Sequence, residues 1–315
     1  MKTVNKMSFS FNFQLPDDSE TSLNKPGTSK SGRKTQNSPL TKKKRKDDET
    51  SQTPILKPAE KVSIQEDQLH DVPSDRENVQ ALQLEDGSFL FYMCSKDDVV
   101  DEIVSESKES GEDKSSLSSD LIPNVYEGGL KTWECSVDLV HYLSLEDIAW
   151  RGINVCEIGC GSGLPGLYAY IQGATVTFTD YNKEVLEKVT IPNTILNIED
   201  PENSDLSSVS SRCQFLAGDW SYVQEQLDQR FDVILTSETI YNPANYKKLY
   251  NIMEKLLKDS GKIFIAAKTY YFGVGGGTRD FEDMVKNLGE FSIKIVKLFE
   301  EGVQREILLM ERVTR

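Results

Sequence analysis

Residues 154–166 read "NVCEIGCGSGLPG", an apolar run that stops in a cluster of four glycines with an acidic residue just ahead of them. The run 154–158 has the character of a buried strand, and the amphipathic stretch from Leu164 that of a helix. Gly159, Gly161 and Gly163 therefore occupy a strand-to-helix turn. Glycine serves there in two ways: it tolerates positive φ, and without a Cβ it lets backbone approach a ligand. The turn alone does not name the ligand, because a nicotinamide enzyme offers a pyrophosphate the same loop.

Outward from the loop, short apolar runs alternate with longer amphipathic ones, the pattern of a parallel sheet with helices on both faces. Strands are expected at 154–158, 175–179, 213–217, 231–236 and 262–268, with helices at 164–171, 182–191, 221–227, 243–257 and 279–288. The alternation then changes. "FSIKIVKLFE" and "VQREILLMERV" are separated by only a few residues around Gly302, too few for a parallel crossover, so they form an antiparallel hairpin. The fold class is thus α/β, a seven-stranded, mostly parallel, doubly wound sheet with an antiparallel C-terminal hairpin. A plain dinucleotide fold would continue with crossovers.

Two features of the loop's surroundings favour S-adenosylmethionine. Glu157, two residues before the first glycine, places a carboxylate that repels a pyrophosphate and attracts ammonium and sulfonium groups. Asp180, at the end of the second strand, can accept hydrogen bonds from both ribose hydroxyls, a contact shared with nicotinamide enzymes. The third strand ends in "LAGDW", where Asp219 can accept from an adenine amino group and Trp220 is either a wall for the base or a core ring. The fourth ends in "LTSETIYN", bringing Ser237, Glu238 and Tyr241 to the carboxyl edge of the sheet, where open α/β folds bind ligands. Glu238 and Tyr241 equally suit a cap and a packed ring.

Residues 1–120 differ in kind. They are rich in Ser, Lys, Asp and Glu and cannot bury enough surface to offset ordering, so they are expected to be a largely disordered tail. One island, "VQALQLEDGSFLFYM", has Asp86-Gly87 turn chemistry between apolar stretches and reads as a hairpin. Residues 1–65 hold thirteen Lys and Arg against seven Asp and Glu, whereas 66–120 hold four against sixteen. Inside the basic part, "KKKRK" at Lys42–Lys46 has the form of a nuclear import signal, which implies an import receptor as a partner; a solubilising charge run is the alternative.

A net charge of -15 argues against broad nucleic-acid binding, and the lack of an apolar run long enough for a bilayer or a signal peptide argues for a soluble, non-secreted protein. Cys94, Cys135, Cys156, Cys160 and Cys213 form no CxxC pair, as suits a reducing compartment. His70 and His141 are too few for a histidine metal site or a serine-hydrolase triad, so no metal is expected.

Taken in order, "NVYEGGLKTWECSVDLVHYL", "CEIGCGSGLPGL", "TDYN", "LAGDW", "LTSETIYN" and "AKTYYFGVGGGTRDF" resemble the seven-β-strand protein methyltransferases of the methyltransferase-like family 16. The resemblance runs from about Asp120 to the C-terminus, so 121–315 is expected to be an S-adenosylmethionine-dependent methyltransferase domain. The most similar branch modifies histidine on a ribosomal large-subunit protein. By motif, the resemblance implies that Thr132, Trp133, Glu134 and Cys135 lie against the methionine part of the cofactor and Gly159 and Gly161 beneath it. Asp180, Tyr181 and Asn182 would hold the ribose, Gly218, Asp219 and Trp220 the adenine, and Ser237 would close the site.

The family's acidic-x-x-Tyr signature falls on Glu238 and Tyr241, the expected catalytic pair; lysine-modifying relatives usually have Asp first. Glu238 would accept a hydrogen bond from the acceptor imidazole, and Tyr241 with Tyr270, Tyr271 and Phe272 would wall the channel. The resemblance implies nuclear and cytoplasmic localisation. Two alternatives stay open: a lysine methyltransferase of the same fold, and a cofactor-binding ribosome-assembly module.

Overall fold

The computed structural model describes residues 56–65, 79–93, 126–198 and 207–314. The basic cluster Lys42–Lys46, His70, Cys94 and the acidic stretch 97–120 lie outside the described residues. In chain order the elements are β1 (Glu60–Val62), β2 (Val79–Gln83), β3 (Phe89–Met93), α1 (Glu134–Leu145), β4 (Asn154–Ile158), α2 (Leu164–Ile171) and β5 (Thr175–Asp180). Helix α3 follows in three pieces: Lys183–Val185, a π-helical turn Leu186–Thr190 and Ile191–Leu196. Then come α4 (Ser207–Arg212), β6 (Cys213–Ala217), α5 (Trp220–Gln226), β7 (Phe231–Ser237), α6 (Tyr246–Leu256), β8 (Leu257–Lys268), α7 (Thr278–Leu288), β9 (Phe291–Phe299) and β10 (Arg305–Arg312).

The main sheet has the order β1-β6-β5-β4-β7-β8-β10-β9. β6, β5, β4, β7 and β8 run parallel, and β10 pairs antiparallel with both β8 and β9. The chain reverses its direction of travel across the sheet between β4 and β7, which opens a crevice at their carboxyl ends. This is the seven-stranded arrangement of the sequence reading with one strand added. β1 pairs antiparallel with β6 at the sheet edge, so part of the stretch read as a tail completes the sheet. Three residues, "EKV", are too short to show strand periodicity in the sequence.

Apolar side chains fill both faces of the sheet, as the near-continuous hydrophobic strands require. One core unites Leu139, Leu143, Leu164 and Leu167 of α1 and α2 with Val155, Phe178 and Phe215. The other sets Leu249, Ile252 and Met253 of α6 and Phe281 of α7 against Ile158, Ile234 and Ile265. β2 and β3 form the hairpin expected around Asp86-Gly87, as a separate two-stranded sheet. An isolated hairpin is marginal in water. Here Leu90 is buried in the first core, and two asparagines of the α3 region stand in for a third strand. Asn193 Oδ1 accepts from the Met93 amide at 2.7 Å, while Asn197 Oδ1 accepts from the Phe91 amide at 2.9 Å and its Nδ2 donates to the Phe91 carbonyl at 2.7 Å. No helix among the described residues is long and apolar enough to cross a membrane.

Candidate active site

The turn between β4 and α2 has the backbone that its glycines suggested. Gly159, Gly161 and Gly163 lie at φ 64°, 51° and 75°. A Cβ on Gly159 would stand 2.6 Å from Thr239 Cγ2, and one on Gly161 would stand 3.1 Å from the Gly129 carbonyl oxygen. The Gly161 amide donates to Asp180 Oδ2 at 2.9 Å, and the Asn182 amide to Asp180 Oδ1 at 3.1 Å. Burial outweighs those two bonds and pushes the Asp180 carboxyl up to about 6, with Glu127 adding to the rise.

A cleft opens over this turn, its empty space about 810 Å³ with the open solvent at its mouth included. Four carboxylates line it, Glu127, Asp180, Asp219 and Glu238, together with Tyr181, Trp220, Trp133 and Tyr241. Its roof is the segment 126–133. The Glu127 amide donates to Asn182 Oδ1 at 3.3 Å, the Leu130 amide to the Tyr126 hydroxyl at 3.0 Å, and Trp133 Nε1 to the Gly128 carbonyl at 3.0 Å.

Of the expected cofactor residues, Trp133, Gly159, Gly161, Asp180, Tyr181, Asp219, Trp220 and Ser237 line the cleft. The others are placed differently. Glu157 is fully buried and turns to α2, where its Oε2 accepts from the Gly166 amide at 2.8 Å. Burial drives its carboxyl well above the usual range, so it supports the glycine turn from behind and is not the exposed anion that the sequence argument required.

Gly163 serves as the left-handed N-cap of α2. Asn182 pins the roof. Gly218 makes room for the N-terminal segment, since a Cβ there would stand 2.5 Å from the Pro58 carbonyl. Thr132 lies outside the lining, and Glu134 turns to Arg305 at 3.6 Å. Cys135 is fully buried against Glu238, its thiol raised well above normal by burial and then by that carboxylate. Asp219 lines the cleft, but its carboxylate is occupied: Oδ1 caps α5 through the Ser221 amide at 2.9 Å and Oδ2 pairs with Lys248 at 2.7 Å.

The opposite end of the cleft is built around Glu238. Among the described residues it is the one non-glycine with positive φ, 56°, a conformation that costs an ordinary residue roughly 1–2 kcal/mol. Strain of that kind persists only where surrounding contacts over-determine it. Three contacts hold it: its amide donates to the Ala266 carbonyl at 2.9 Å, Tyr271 donates its hydroxyl to Oε2 at 2.5 Å, and Lys268 Nζ stands 3.4 Å from Oε1.

Tyr241 donates its hydroxyl to Glu127 Oε2 and meets Tyr271 edge-on at 6.3 Å between ring centroids. Burial, reinforced by the neighbouring carboxylates, holds both phenols well above their ordinary range, so they remain proton donors. Tyr270 and Phe272 stand 47% and 73% exposed at the rim.

Sequence reasoning missed Glu127, Lys131, Ser136, Asn245 and Lys248 as lining residues and Lys268 as the partner of Glu238. Only Glu127 carried a usable signal, an acidic residue directly before a glycine pair in "YEGGL". The lysines are indistinguishable in sequence from solvated charges.

A family model described as "Lysine methyltransferase" matches residues 124–274. The chain is 47% identical over 193 residues to the histidine protein methyltransferase 1 homolog of Dictyostelium discoideum, covering 60% of each chain. It is 34% identical over 232 residues to histidine protein methyltransferase 1 of Schizosaccharomyces pombe (strain 972 / ATCC 24843), covering 62% of this chain and 68% of that one. The alignments with the homologs of Dictyostelium discoideum and Bos taurus span 60% and 57% of those relatives' own lengths. Among solved structures, magnesium protoporphyrin IX methyltransferase from Synechocystis PCC 6803 with bound SAH aligns with a TM-score of 0.43 and 16% identity, covering 56% of this chain and 81% of that one.

Proposed function

The chain belongs to the histidine protein methyltransferase 1 family, and from that premise we propose that it transfers the methyl group of S-adenosylmethionine to a histidine side chain of a protein. The observation that carries the reading is the cleft at the β4/β7 switch point, with a tied-down glycine turn at one end and a strained, buried carboxylate at the other. Its lining suits this cofactor chemically: carboxylates for a cationic ligand with hydroxyls, and the rings of Tyr181 and Trp220 for a flat base.

Asp180 would hold the ribose, the backbone at Gly159 and Gly161 would pass beneath the ligand, and Trp133 and Ser237 would close on it. The cofactor supplies a sulfonium-activated methyl group, so the chain needs no strong base. The chain's own contribution is orientation, which can lower a barrier by about 7–11 kcal/mol when the reacting atoms are held in line. Held in line by the cleft, a neutral imidazole nitrogen would be the acceptor of the methyl group that the bound cofactor would supply. The proton on the other ring nitrogen is then released. At pH 7 an ordinary histidine, with a pKa near 6.5, is mostly neutral already.

Glu238 has its Oε2 engaged by Tyr271, while its Oε1, buried 3.4 Å from Lys268 Nζ, accepts no hydrogen bond and is the oxygen left to accept one from the acceptor imidazole. We assign Glu238 to the acceptor end, with Tyr241 as the ring against which the imidazole lies.

The substrate is proposed to be a ribosomal large-subunit protein, on the family resemblance and on charge: an acidic chain suits a basic partner. Nuclear and cytoplasmic residence follows from the same resemblance and from Lys42–Lys46. Labelled methyl transfer to purified large-subunit ribosomal proteins, followed by hydrolysis, tests the reading. Methylhistidine is expected. Methyllysine alone would support the second reading, a lysine acceptor, which the family model's description favours.

A further inference from the structure

Lys268 ends β8 beside Glu238 and Trp133, two residues that line the cleft, and its ammonium is enclosed. Nζ stands 3.4 Å from Glu238 Oε1, with the side chain 9% exposed. The ring centroids of Trp133 and Tyr271 are each 5.5 Å away. A carboxylate and two aromatic faces make a cage that recognises an ammonium. In this chain the cage is filled by the chain's own lysine.

We propose that Lys268 is a specificity-determining residue: by occupying the ammonium-binding corner beside Glu238, it makes the site accept a neutral imidazole and reject a protonated lysine. The inference rests on the histidine-methyltransferase reading above and concerns how that reading is enforced.

Charge bookkeeping at the acceptor end supports it. Lys268 faces Glu238 Oε1 at 3.4 Å and Arg305 pairs with Asp138 at 2.6 Å, while Glu127 accepts from the neutral Tyr241 hydroxyl and keeps its charge. The Cys135 thiol stays protonated, since burial first and Glu238 second raise it far above its usual range. An incoming lysine ammonium would therefore stand beside a second ammonium, which already lies 3.4 Å from the Glu238 carboxylate it would otherwise pair with. Entry as the neutral amine is rare, because at pH 7.4 roughly one lysine in a thousand with a pKa near 10.4 is deprotonated. An imidazole meets neither barrier.

The test uses the full chain and ribosomal proteins from cells lacking the enzyme, with methylhistidine and methyllysine separated after hydrolysis. Wild type is expected to form methylhistidine, and Lys268→Arg, which keeps the charge, to retain that preference. Lys268→Met, which keeps the stem and removes the charge, and Lys268→Gln, which can still bond Glu238, are expected to raise the methyllysine-to-methylhistidine ratio at least tenfold. Calorimetry should show their cofactor binding within threefold of wild type.

An unchanged ratio in a variant that binds cofactor overturns the proposal. Loss of cofactor binding in both neutral variants also overturns it, since Lys268 would then be a structural counter-ion. Absence of methylhistidine from the wild-type reaction is a different result: it removes the underlying functional reading.

Discussion

The two ends of the cleft are made differently. At the cofactor end the determining geometry lies in the single turn 159–163 and in Asp180, where positive φ values and amide-to-carboxylate bonds set the shape. At the acceptor end, Glu238 is held by Tyr271 and Lys268, while Trp133 and Cys135 come from a segment more than a hundred positions earlier in the chain. A site made of backbone can be written in a short motif. A site made of side-chain pairs requires the sheet to bring its members together.

The sharpest way to break this contrast is at the buried pair. Glu238→Ala strips the Lys268 ammonium of this carboxylate in a dry environment, which is expected to cost about 3–5 kcal/mol of folding stability, measured by urea denaturation. Glu238→Gln should cost less. Parity between the two would show that the carboxylate's charge is unimportant there.

Asp180→Ala acts at the other end. It should weaken cofactor binding by about a hundredfold, the loss expected when hydrogen bonds to a charged acceptor disappear, with Lys268→Arg binding cofactor as wild type does. Tyr271→Phe removes the hydroxyl donated to Glu238 at 2.5 Å and is expected to destabilise by about 1.5–3 kcal/mol while leaving cofactor affinity unchanged by calorimetry.

A pH titration sharpens the comparison further. The Asp180 carboxyl is raised to about 6 in the free protein, and in the proposed cofactor contact the ribose hydroxyls would donate to its ionised form. Cofactor affinity should therefore be about half-maximal near pH 6, nearly complete about one unit higher, and approach a fall of about tenfold per unit below it, measured without protein substrate. Asp180→Asn should flatten that slope, and a slope that survives the substitution would assign the proton to another group.

The smallest effect is expected at Asp219. Asp219→Ala removes a helix cap and one pairing with Lys248, a cost of about 1 kcal/mol seen as a small fall in melting temperature.

The sequence was most legible where structure is periodic or glycine-dependent. The strands from β4 to β8, the terminal hairpin β9–β10 and the loop between β4 and α2 all announce themselves within about a dozen residues. Asp180 was legible because its position follows from the strand it ends. Glu157 was misread for a related reason: sequence places a carboxylate beside the loop but does not say which side of the backbone it takes, and α2 offered it the Gly166 amide. Asp219 was half legible, at the right edge of the sheet but already serving a helix terminus and Lys248.

By itself the amino-acid sequence determined the order and type of the elements, the sheet's parallel character and the position of the glycine turn. These depend on hydrophobic period, chain length between strands and the permissive backbone of glycine, all properties of neighbouring residues. Only the tertiary structure decided that Glu60–Val62 would extend the sheet, that Glu157 would lie behind the loop, and that Lys268, Tyr271 and Trp133 would enclose Glu238. Those outcomes depend on which strands become neighbours and on which buried polar atoms find partners, and both are settled only when the layers pack.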